Sequence, residues 1–102
     1  MSGAARLVMT MVVRDEEELL PANLEHHLDQ GVDLILATDN GSVDATPAIL
    51  DRYRKAGRLH WWREPPGAWH QHLWVTRMAR AAATDHGAGW VLHNDADEFW
   101  FP

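Results

Sequence analysis

Asp95 and Asp97 stand two residues apart, directly after the β-rich run Gly89-Trp90-Val91-Leu92-His93. In an extended chain, residues i and i+2 project to the same side. The spacing therefore predicts two carboxylates converging on one hard cation, which prefers oxygen ligands and often retains water and phosphate oxygens. On its own the tripeptide Asp95-Ala96-Asp97 fits a solvated acidic strand end equally well. Glu98 points to the opposite side and is expected to bond backbone or guanidinium groups rather than a metal.

Two other polar clusters sit at comparable places. Arg14-Asp15-Glu16 follows the apolar run Leu7 to Val13, and Asp39-Asn40-Gly41-Ser42 follows Val32 to Thr38. The second cluster reads either as a tight turn with glycine at positive φ or as Asp39 and Asn40 accepting from a base N–H. Asp44 and Thr46 are expected to be helix caps. The 7 histidines invite a zinc hypothesis. Neither the adjacent His26 and His27 nor the pair His70 and His72 shares a helical face, so the spacing does not support it. His27 falls on an apolar stripe and reads as a core histidine with its ring N–H satisfied. Arg77 and Arg80 read as solvated or acid-paired, with contact to a phosphate as the alternative. No Ser-His-Asp elbow, Walker loop or GxGxxG occurs.

These clusters need elements to position them. Leu7 to Val13 is a nearly continuous apolar run, as in a strand buried on both faces. A helix is predicted from Pro21 to a stop at Gly31, with Leu24, His27 and Leu28 inward. Val32 to Thr38 is a second strand. A helix opening at Thr46-Pro47 and ending at Gly57 turns Ile49, Leu50 and Tyr53 inward. Arg58 to Arg63 is a third strand. A third helix runs from about Trp69 to Asp85, with Leu73, Met78, Ala81 and Ala82 on its buried face. Trp90 to Asn94 is the fourth strand. Strands separated by single helices imply an α/β, Rossmann-like, mostly parallel four-stranded sheet with helices on both faces. Ligands bind such sheets beyond the carboxyl ends of the strands, where the strand order reverses. All three polar clusters lie at such ends.

Composition narrows the classes. The 102 residues allow a single domain spanning 1–102. The net charge of −6 and the lack of a Lys/Arg stripe argue against a nucleic-acid binder. An acidic chain repels phosphorylated ligands unless a metal or local donors offset the charge. With no cysteine, thiolate metal sites and disulfides are excluded. The N-terminal apolar run is too short for a transmembrane segment and its flanks do not suit a signal peptide, so a cytoplasmic protein is expected. The 6 Trp residues suggest aromatic packing or a lined cleft.

Four pieces in order, Val12-Val13-Arg14-Asp15-Glu16-Glu17, Leu20-Pro21 with His26-His27-Leu28, Thr38-Asp39-Asn40-Gly41-Ser42-Val43-Asp44, and Trp90-Val91-Leu92-His93-Asn94-Asp95-Ala96-Asp97-Glu98-Phe99, resemble the family-2-like glycosyltransferases of the GT-A fold. The likeness is greatest to the subgroup with a DNGSxD turn and a DxDEF motif. It implies a nucleotide-sugar pocket formed by Arg14, Asp15, Glu16, Asp39, Asn40 and Asp95. It also implies Mn²⁺ or Mg²⁺ on Asp95 and Asp97, a nucleoside diphosphate sugar (commonly a UDP-sugar) as donor, and an unknown acceptor hydroxyl. Position 40 is Asn where many members carry a second acid. The chain is expected to be the donor half of such an enzyme, truncated after the DxD strand, with no residue assignable as general base. Self-association, or pairing with a missing C-terminal half, is expected. The alternative is a non-catalytic α/β interaction module that uses an unpaired sheet edge and the exposed aromatics Trp100 and Phe101.

Overall fold

The computed structural model describes residues 6–66 and 71–100. The elements alternate as predicted: β1 (Arg6–Val13), α1 (Leu20–Asp29), β2 (Leu34–Asn40), α2 (Thr46–Lys55), β3 (Leu59–Glu64), α3 (Gln71–Asp85) and β4 (Ala88–His93). The strands form one sheet in the order β3-β2-β1-β4, and every neighbouring pair is parallel. The chain moves from β1 through β2 to β3 on one side, then returns to place β4 on the other side of β1. The strand order thus reverses between β1 and β4, where such sheets open a crevice.

Alternation along the strands divides the core into two layers. Met9, Met11 and Val13 of β1 and Ile35 and Ala37 of β2 pack with Leu20 and Leu24 of α1 and Ile49 and Leu50 of α2. The intervening residues Val8, Leu34 and Leu36 face Met78 and Ala82 of α3. Both faces of β1 and β2 are therefore covered, which is why their sequences read as continuous apolar runs. Each fully buried Leu, Ile or Met side chain contributes about 1.5–3 kcal/mol. No helix among the described residues is long and apolar enough to cross a membrane.

Strand bounds shift by one or two residues from the sequence-based reading, those of the second strand among them. The second strand begins at Leu34, not Val32, and runs to Asn40. Val32 instead closes α1. Its N–H bonds the carbonyl of His27, and the N–H of Gly31 (φ +109°) bonds that of Leu28. This pairing at a left-handed glycine is the Schellman arrangement, and Gly57 ends α2 in the same way. Asp39 and Asn40 are thereby strand residues rather than members of the turn. In α3 the buried stripe is Trp74, Met78 and Ala82, spaced by four. Leu73 was expected inside but lies on the flank of that stripe and is 55% exposed. The expected start near Trp69 falls outside the described residues.

Candidate functional site

The loops after β1 and β2 are bonded into one unit. Asp15 takes a left-handed φ of +50°, which Asp tolerates better than most residues. Its N–H donates to Ser42 Oγ at 2.8 Å. Its carboxylate Oδ1 accepts from the N–H groups of Val43 (2.8 Å) and Asp44 (3.3 Å). Asp44 was expected to cap α2, but the N-cap position is Ala45, and Asp44 accepts the Thr46 N–H at 2.8 Å from one residue further out. Thr46 does not act as the cap. Its hydroxyl accepts the Glu16 N–H at 2.9 Å, which ties the β1 loop to the start of α2.

Asp39 is fully buried. Its Oδ2 accepts the Ser42 N–H at 3.1 Å and lies 3.9 Å from Arg63 Nε. Its Oδ1 has no partner among the described residues. A buried carboxylate oxygen without a donor is costly, and a ligand N–H would satisfy it. Asn40 also has a buried Oδ1 without a partner. As consecutive residues of β2, however, the two side chains leave opposite faces of the sheet and do not form one acceptor pair. Arg14 is exposed beside Asp15.

The extended geometry expected for the acidic pair is not what forms. β4 ends at His93, and Asp95 to Glu98 curl into a turn closed by the Glu98 N–H on the Asp95 carbonyl at 3.0 Å. Glu98 bonds backbone as expected, its carboxylate accepting the Asp95 N–H at 2.9 Å. Asp95 and Asp97 are both exposed, whereas Ala96 between them is buried. Partial burial pushes the Glu16 carboxyl above the usual range, and the charges of Asp97, Asp44, Asp15 and Asp95 push it further. Acids that follow β1, β2 and β4 therefore all act on Glu16 at the same rim of the sheet.

The expected cation can be tested against this donor set. Among the described residues, no three His, Asp or Glu side chains are grouped closely enough to hold a metal ion. A closed protein cage is therefore absent. Two exposed carboxylates are oxygen donors of the kind a hard cation takes when it keeps further oxygen ligands from water and phosphate. Asp95 and Asp97 fit the group on those terms.

The Glu16 shift has a consequence for stability. The folded state holds this proton more tightly than the unfolded chain, so stability falls as pH rises from about 4.5 through the raised value. Glu16→Gln is expected to raise Tm at pH 7 without divalent metal and to flatten the decline above pH 4.5. Thermal melts by circular dichroism between pH 4 and 7 check this, and a lower Tm for the variant at pH 7 would refute it.

Sequence reasoning passed over the side chains that shape the acidic turn. Asn94 is fully buried. Its amide donates to the carbonyls of Asp95 and Glu98, each at 3.0 Å, and its Oδ1 accepts from Trp100 Nε1 at 2.6 Å. Asn23 reaches the same turn from α1. The available signal was an Asn between Leu20 and Leu24, on the stripe that otherwise faces the core.

No family model matches the chain. It is 42% identical over 98 residues to a TPR repeat-containing protein of Synechococcus elongatus, an alignment covering 95% of this chain and 22% of that protein. The alternating strands and helices described above contain no paired-helix repeat of that kind. Among solved structures, the chain is similar to residues 1–349 of TarS from S. aureus. The TM-score is 0.63 at 20% identity, covering 92% of this chain and 28% of that one. The likeness is one of fold, a parallel α/β sheet. The chain thus spans less than a third of the length of either of these proteins.

Proposed function

We propose that residues 1–102 form a donor-binding domain of the glycosyltransferase kind, which binds a nucleoside diphosphate sugar with a divalent cation on Asp95 and Asp97. The observation that carries this reading is the gathering of acids from the ends of β1, β2 and β4 at the rim where the strand order reverses. Asp39 Oδ1 is the acceptor available to a base N–H, uracil being the base the sequence resemblance suggests. Asp15 and Glu16 shape the pocket floor, Asp15 mainly by holding the β2 turn. Mn²⁺ or Mg²⁺ would supply neutralisation of charge on a leaving diphosphate. Transfer to an acceptor hydroxyl is the reaction class, with no general base assigned among the described residues.

Titrating the chain with a UDP-sugar by calorimetry, with and without Mn²⁺, tests the reading. Binding that requires Mn²⁺ is expected. One feature favours a second reading, an interaction module: β4 is an edge strand on which Trp90 is 70% and Val91 42% exposed. No nucleotide binding together with a concentration-dependent dimer would favour that alternative.

A further inference from the structure

The acidic turn is held from behind. Asn23 of α1 is fully buried, and its Nδ2 lies 3.3, 2.9 and 2.7 Å from the carbonyl oxygens of Asp95, Ala96 and Glu98. Three converging carbonyls repel one another unless a donor sits among them, and Asn94 contributes the second amide. With its carbonyls drawn inward and Ala96 buried, the turn leaves the Asp95 and Asp97 side chains exposed.

The orientation of the Asn23 amide is itself fixed. His27 Nδ1–H donates to the Asn23 backbone carbonyl at 2.9 Å and approaches Asn23 Oδ1 at 3.1 Å. That leaves Nδ2 directed at the turn. His27 Nε2 in turn accepts the Trp100 N–H at 3.2 Å, so the segment after the turn is fastened to the same helix.

We propose that Asn23 is a positioning residue for the metal-holding turn, setting the affinity of Asp95 and Asp97 for a divalent cation without touching the cation. This rests on the metal reading given above. Outer-shell groups of this sort change metal affinity about 10–100-fold when removed.

The test uses isotopically labelled full chain and two NMR readouts, amide hydrogen exchange without metal and line broadening on titration with MnCl₂. In Asn23→Ala the Asp95 and Glu98 amides should exchange faster than the rest of the fold, and Mn²⁺ broadening of residues 95–98 should need about tenfold more metal. Leu50→Ala, a fully buried change on α2, controls for general destabilisation. Below its melting range it should keep the parent's Mn²⁺ response. Parent-like exchange at Asp95 and Glu98 in Asn23→Ala overturns the proposal, as does a Mn²⁺ loss equally large in Leu50→Ala. If Mn²⁺ broadens the parent and an Asp95→Ala/Asp97→Ala variant alike, the metal reading fails, and with it the claimed effect on affinity. The exchange measurement then still decides whether Asn23 holds the turn.

Discussion

Replacing Asp95 and Asp97 together by alanine is expected to abolish Mn²⁺-dependent binding of a nucleoside diphosphate sugar while leaving the fold intact. Both side chains are exposed, and neither closes the turn. The turn is closed by the Asp95 carbonyl and Glu98, and held by Asn23 and Asn94. A charged hydrogen-bond or ligand contact is worth about 1.5–3 kcal/mol. Losing two should therefore weaken binding by at least about 3 kcal/mol, or more than 100-fold. Removing two negative charges from a crowded acidic rim should at the same time raise, not lower, the thermal stability of the metal-free protein. Calorimetry and melting curves on the same samples separate the two effects. An unchanged Kd for the donor in Mn²⁺ would remove the acidic pair from the site.

The fold was legible because its signals are local. Apolar runs bounded by glycine and proline, and stops at Gly31 and Gly57, depend on neighbours a few residues away. The parallel order then follows from single helices between strands. The gathering of the three polar clusters at one rim was legible for the same reason, since it follows from strand direction.

What failed was geometry that depends on residues distant in sequence. The period-two argument put Asp95 and Asp97 on one side of an extended chain. The chain bends there instead, and the bent turn is bonded both locally, by Asn94 and Glu98, and by Asn23, more than seventy residues earlier. Thr46 has the sequence context of a cap, but the β1 loop lies close enough to claim its hydroxyl. Leu73 and Trp74 are adjacent on one helix, and only the position of α3 against β1 and β2 decides which is buried.

Gly41→Ala should be among the most damaging single substitutions in this chain. Gly41 holds φ +67°, and a Cβ there would lie 2.5 Å from Pro66 Cδ and 2.6 Å from Pro66 N. The left-handed backbone alone costs a non-glycine residue about 1–2 kcal/mol. The clash adds to this, because a backbone nitrogen and a proline ring cannot rotate out of the way. A total near 3 kcal/mol corresponds to a Tm lower by about 10–25 °C in a domain of this size. Gly57→Ala isolates the backbone contribution, since Gly57 holds φ +77° with nothing within 4 Å of its added Cβ. It should lose only that backbone cost of about 1–2 kcal/mol. If the close approach of Pro66 causes the excess, Pro66→Ala in the Gly41→Ala background should recover part of it, because removing the ring lets the loop after β3 withdraw. Equal losses at the two glycines would mean that this loop yields freely. A yielding loop would no longer fix the turn that follows Asp39, and the buried, unpartnered oxygen of Asp39 would lose the rigid surroundings that suit it to a ligand N–H.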